Sequence, residues 1–181
     1  MKKATKVSGE LTFTFDDKDI VAALLKGLSS RAKEVLTLRF GLGKSAERAT
    51  LESIGRTWGI TRERVRQIEM FALESVRESR EYQEQSAAFR ELHQTILSLG
   101  AIVSEDQLLS HISSDAKKRN RFRFLLALGE FFIREKETDD FFARWHVDPK
   151  VAAHVHGALT KLYRSLPDND VIPEGELMSR F

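Results

Sequence analysis

Cysteine is absent from these 181 residues, and proline occurs only three times. Without a thiol there is no disulfide framework, no thiolate metal site and no cysteine nucleophile. Scarce proline, with ten glycines, leaves helical stretches uninterrupted. No apolar run approaches the length of a membrane span. Met1-Lys2-Lys3 leads into polar residues, so no secretory signal is expected. An excess of charge of one sign is also missing. Lys and Arg number 29 against 27 Asp and Glu, a net charge of +2, so affinity for nucleic acid must come from local patches. The five histidines lack ligand spacing. His154 and His156 stand two apart and diverge on a helix, and no carboxylate neighbours His93, His111 or His146 at ligand spacing. No Gly-rich phosphate loop, nucleophile elbow or paired-carboxylate motif is visible. These absences lead us to expect a cytoplasmic protein that is not an enzyme, with no cofactor, metal, small-molecule ligand or membrane partner.

What is present is concentrated in TLESIGRTWGITRERVRQIE, Thr50 to Glu69. Gly59 lies between Trp58 and Ile60, where a sharp helix-to-helix turn needs a positive φ. Thr50 and Thr61 are placed as N-caps, and Glu52 and Glu63 follow in the first turns, where acids complement the helix dipole. Gly55, costly in mid-helix, suits a second helix crossing closely over the first. At helical spacing Val65, Ile68, Ala72 and Val76 share a core-facing arc. Arg62, Glu63, Arg66, Gln67 and Met70 share the opposite one. Arginine pairs bidentately with guanine, glutamate accepts from cytosine and glutamine pairs with adenine, so this second arc suits major-groove readout. On that face alone, a solvated amphipathic helix is an equal alternative. The apolar spacing and the two glycines together favour a helix-turn-helix.

LSSRAKEVLTLRFGL (Leu28 to Leu42), followed by TLESIGRTWGITRERVRQIEMFAL, resembles the fourth conserved region of the housekeeping-type sigma factors of bacterial RNA polymerase. The likeness runs from Leu28 to about Arg77, under a third of the chain, and TRERVRQIE is close to a family signature by itself. In that family the helix-turn-helix reads the promoter −35 element, and another face binds the flap of the polymerase β subunit. By position, the resemblance implies base contacts for Arg62, Glu63 and Gln67. It implies backbone or flanking contacts for Arg31, Arg39, Thr50, Leu51, Arg64 and Arg66. Double-stranded promoter DNA and the RNA polymerase core are therefore the expected partners.

Around that motif, LTFTF (Leu11 to Phe15) alternates like a short strand, and we prefer an apolar arm packed on helices. DDKDIVAALLKGL (Asp16 to Leu28) is read as a packing helix stopped by Gly27. Ser29 or Ser30 caps the next helix, Arg31 to Phe40, and Lys44 to Ala49 is a loop to which no role is given. ESREYQEQSAAFR beyond Arg77 reads as continued helix or helical linker.

The C-terminal half has its own pattern. FRELHQTILSLG is a helix closed by Gly100, and AIV leads to Ser104, which caps EDQLLSHI. A third helix spans Asp115 to Glu130, and FFIRE and FFARWHV flank a Thr138-Asp139-Asp140 turn, a hairpin signal. Three helices and then a hairpin is the element order of a winged helix, an analogy resting on order alone. Lys117, Lys118, Arg119, Arg121 and Arg123 form a second basic run, suited either to phosphate or to a solvated helix start or acidic protein partner. Arg134, Lys136 and Arg144 would extend it, against Glu135, Glu137, Asp139 and Asp140 at the wing.

AIVSEDQLLSHI (Ala101 to Ile112) and DVIPEGELMSRF (Asp170 to Phe181) agree in pattern. Either a module recurs, its second copy continued beyond Phe181 or reduced to an appended helix, or two amphipathic helix starts agree by chance. The expected architecture is mostly α. A helix-turn-helix domain (1–84) precedes a winged-helix-like domain with a small β-hairpin (85–149) and a C-terminal helix with a possible incomplete second copy (150–181).

Overall fold

The computed structural model describes residues 10–165 and, beyond them, Gly175 alone. The second copy proposed from sequence, Asp170 to Phe181, lies outside the described residues. The described residues open with an arm, residues 10–15, that crosses the C-terminal half rather than forming a strand. Its alternation turns Leu11, Phe13 and Phe15 inward. Phe13 and Phe15 stack on Phe122, with centroids 4.7 and 5.9 Å away. Leu11 N–H donates to the His111 carbonyl at 2.6 Å, and Thr14 bonds Glu91 through its amide and its hydroxyl.

Four helices follow: α1 (Asp17–Lys26), α2 (Ser30–Phe40), α3 (Leu51–Trp58) and α4 (Arg62–Arg77). Asp16 and Ser29 cap the first two through their side chains. The stretch beyond Arg77, expected as continued helix or helical linker, is helical but interrupted twice. A new cap at Ser79 starts α5 (Arg80–Glu84), and Gln85 separates it from α6 (Ser86–Ser98).

The remainder is β1 (Ile102–Ser104), α7 (Glu105–Ile112), α8 (Ala116–Leu128), β2 (Ile133–Glu135), β3 (Arg144–His146) and α9 (Pro149–Ser165). The three strands form an antiparallel sheet in the order β1-β3-β2, with Val103 and Arg134 both opposite Trp145. The helix, strand, helix, helix, hairpin succession is that of a winged helix. The sequence pattern marks two strands; the third, β1, forms from the stretch leading into Ser104. Strands β2 and β3 are also shorter than FFIRE and FFARWHV, leaving residues 136–143 as the hairpin loop.

The main core runs through both halves. Ile20, Leu24, Leu36, Ala72 and Val76 pack in one cluster with Phe89, Ile96, Leu108, Phe122, Phe124, Leu125 and Trp145. The 84/85 boundary therefore falls within one continuous core. Arg77 ties the halves further: its guanidinium donates to the carbonyls of Leu128 (3.0 Å) and Ala127 (2.8 Å), satisfying the C-terminal end of α8. The tip of the helix-turn-helix has a separate small core, Val35, Ile54 and Val65, with Trp58, Ile60 and Ile68 packed around it.

Candidate nucleic-acid interface

The small core sets the crossing of α3 and α4. Thr50 Oγ1 accepts from the Ser53 amide at 3.0 Å and Thr61 Oγ1 from the Arg64 amide at 3.1 Å, so each helix starts where sequence places its cap. Gly59 takes φ +64°. A Cβ on Gly55 would stand 2.7 Å from the Ile60 carbonyl oxygen, so the glycine is required by close approach of the following turn.

With Val65 fully buried, Arg62, Glu63, Arg64 and Arg66 are exposed and Gln67 is half-buried. The side chains interact with one another. Arg66 donates twice to Glu63, both at 2.8 Å, and Arg64 Nη1 donates to Gln67 Oε1 at 3.1 Å. The Arg66 hydrogen bond holds the Glu63 carboxyl below the usual carboxylate range, so Glu63 presents an acceptor-only carboxylate. Such exposed pairs are worth little in water, and a ligand's polar edge can replace them at small cost.

The flanking residues divide. Arg31 lies over the Trp58 ring, 5.1 Å from its centroid, at the turn's outer side. Thr50 and Leu51 form the start of α3. Arg39 is mainly a brace. Its Nε donates to Glu69 at 3.1 Å and its Nη1 to the Ala49 carbonyl at 2.7 Å, joining α2 to α4 and to the strand of chain entering α3. Sequence gave no sign of this, because both acceptors depend on the tertiary crossing.

The second basic run does not form one surface. Arg121 is ion-paired with Asp17 of α1, and both side chains are largely buried. Arg123 pairs with Glu105 at 3.0 Å and also donates to Asn120 Oδ1. Phe122 and Phe124, which alternate with these arginines in sequence, are buried in the core. Arg121 and Arg123 are therefore taken up by ion pairs within the protein, which corrects the reading of all five side chains as one patch. Lys117 is exposed, and Lys118 and Arg119 are half-buried.

The hairpin arginines are likewise engaged. Arg134 donates to Glu105 at 2.6 Å, and the buried Arg144 bonds Glu135 and His156. Burial pushes the Glu105 carboxyl up, but Arg134 and Arg123 together outweigh it and hold it below its ordinary range. Burial, followed by repulsion from Arg144, lowers the His156 pKa, in keeping with a neutral ring that accepts from Arg144. Among the described residues no three His, Asp or Glu side chains gather as a metal site. No helix among them is long and apolar enough to cross a membrane.

Residues 24–78 match the family model described as sigma-70, region 4. RNA polymerase sigma factor RpoS of Coxiella burnetii is 47% identical over 62 residues, which is 34% of this chain and 17% of that protein. RNA polymerase sigma factor SigA of Listeria monocytogenes is 48% identical over 60 residues, 33% of this chain and 16% of that protein. The chain thus covers about a sixth of the length of these curated relatives. The resemblance to sigma region four holds over residues 24–78, the stretch containing every residue of the exposed α4 face.

Proposed function

We propose that this chain binds double-stranded promoter DNA and reads a −35-type element through the N-terminal half of α4, in association with bacterial RNA polymerase. The observation carrying this reading is the solvent-facing set Arg62, Glu63, Arg66 and half-buried Gln67 on a helix fixed by Val65, Gly55 and Gly59. Arg62, Glu63 and Gln67 take the base edges, and Arg31, Thr50, Leu51, Arg64 and Arg66 the phosphates beside them. Arg39 acts by holding α4 against α2. The role is binding, not catalysis.

Binding of the whole chain to a −35-like duplex and to base-substituted duplexes tests this. Arg62→Ala and Gln67→Ala should relax base preference, each by about 1–3 kcal/mol of discrimination. Arg31→Ala should weaken all sequences alike and lower the salt slope by about one. Equal losses on every sequence from all three variants would remove base reading from α4.

A second reading has its own support. A groove of about 600 Å³ lies between the α1–α2 junction and α4, lined by Leu28, Ala32, Ile68, Phe71 and Ala72. Phe71 is 61% exposed. This groove suits a protein helix, and the sigma resemblance points to the polymerase β flap. An adaptor or competitor docking there would be retained by core polymerase in nuclease-treated, high-salt buffer and lost on Phe71→Ala.

A further inference from the structure

The loop between α2 and α3, residues 41–50, meets the winged half at a second cleft. Its volume is about 260 Å³, and Arg48, Asp106, Arg119, Asn120 and Arg123 line it. Asn120 anchors one side by donating to the carbonyls of Gly41 (3.2 Å) and Ala46 (2.7 Å), so loop and helix α8 are held in register. Arg123 and Arg134 each occupy one oxygen of Glu105. One carboxylate between two guanidiniums leaves the neighbourhood net positive. Among the described residues, the Arg48 and Arg119 side chains make no hydrogen bond or ion pair. Asp106, at the rim, is the remaining acid lining the cleft.

Arg48 senses that imbalance. Burial and then repulsion from Arg123 lower its guanidinium's pKa; Glu105 offsets part of this, and Arg134 and Arg39 add to it. An exposed cation beside other cations, with no carboxylate of its own, is stabilised by an anion supplied from outside. The position of the cleft identifies the anion. Arg48 stands two residues before Thr50, the cap of α3, and Arg119 closes the first turn of α8 across the cleft. The cleft is therefore joined through this loop to the start of α3, next to the reading helix.

We propose that this cleft takes a phosphate of the DNA backbone flanking the element read by α4, gripped by Arg48 and Arg119. The winged half then lengthens the footprint without reading bases and without inserting α8 into a groove. The proposal rests on the DNA-reading assignment above.

The test uses the full chain, a duplex carrying the element with about one further helical turn on each side, and duplexes trimmed on either side. The Arg48→Gln/Arg119→Gln variant should lose about two units of the salt slope on the long duplex. Its affinity loss between about 50 and 200 mM salt then shrinks roughly tenfold relative to the unsubstituted chain. Base preference should be unchanged, and trimming one particular side should abolish the difference. Thermal unfolding of the variant verifies that the fold is intact. An unchanged slope, with Arg62→Ala still relaxing base preference, overturns the cleft assignment while leaving the reading helix in place. Should that same variant lose only retention by core polymerase, the cleft serves an acidic protein surface and the DNA assignment fails. If the unsubstituted chain binds no duplex, both assignments fall.

Discussion

Helices α4 and α8 occupy the same place in their respective halves. Each is the second helix of a helix-turn-helix pair, α3–α4 and α7–α8, the position from which DNA is commonly read. Their surfaces differ. Three of the sixteen residues of α4 are buried against six of the thirteen of α8, most of the latter in its C-terminal half. Near the start of α4 stand Arg62, Glu63, Arg64 and Arg66, all facing solvent. On α8, Asn120 and Phe122 are already buried against the α2–α3 loop and the N-terminal arm. The same geometry can thus present a reading helix or supply an internal brace, and the side chains decide which.

The sharpest way to break this comparison is to remove the brace. Phe124 is fully buried and meets Phe40 edge-on at 5.2 Å. Phe124→Ala should cost about 3–5 kcal/mol. Because the core is continuous, both halves should lose stability together. The two tryptophans report this separately, Trp58 from the helix-turn-helix and Trp145 from the sheet. Denaturant unfolding followed through each, with the other replaced by Phe, should give coincident midpoints. A Trp58 transition that stays put while the Trp145 transition moves would make the halves independent and α8 no brace.

Glu105 comes next in size. It is 8% exposed at its side chain and holds Arg123, Arg134 and the Trp145 indole N–H. Glu105→Gln strands the largely buried Arg123 and should cost about 3 kcal/mol. The native carboxyl titrates below its ordinary range. Its contribution is therefore complete above the unfolded-state value and is lost as pH falls through the lower native one. Acid unfolding should accordingly be shallower for the Gln variant than for the unsubstituted chain between about pH 5 and pH 3. Parallel curves would mean that the ion-pair cluster contributes nothing to the pH dependence.

What could be read from sequence was local. The Thr50 and Thr61 caps, the left-handed Gly59, the close approach at Gly55 and the inward arc of Val65 each depend on neighbours within one or two turns. The winged helix was legible as an order of elements. Strand β1 was not, because three residues carry no periodicity and its ladder partner lies some forty residues away at β3. Arg121 looked free because its partner Asp17 is 104 residues distant. Arg48 is not legible as a site residue, because loop sequence alone cannot show that Arg123 and Arg134 will stand beside it.

Gly55→Ala separates propensity from packing within α3. Alanine is favoured over glycine in a helix by about 1 kcal/mol. Here the new methyl would lie 2.7 Å from the Ile60 carbonyl oxygen and 3.4 Å from the Arg62 amide nitrogen, both backbone atoms that cannot swing aside. The net effect should be a loss of about 2 kcal/mol, with weakened duplex binding as α4 is pushed off α3. A stabilised variant would show that the turn has room to yield.

The smallest effect compares a cap from each half. Thr61 Oγ1 accepts from the Arg64 amide at 3.1 Å, and Ser104 Oγ accepts from the Gln107 amide at 3.2 Å. Thr61→Ala and Ser104→Ala should each cost about 1 kcal/mol, so unfolding alone cannot tell them apart. Duplex binding can. Thr61 fixes the first turn of α4, from which Arg62 and Glu63 project, whereas Ser104 fixes α7, which bears no residue of the reading face. Fraying at Thr61 spreads the orientations of both reading side chains, and the ordering a missing cap no longer supplies must then come from binding energy. Thr61→Ala should therefore weaken the cognate duplex more than a mismatched one, while Ser104→Ala leaves both unchanged. Equal binding losses from the two caps would mean that α4 is not distinguished from the rest of the scaffold as the reading element.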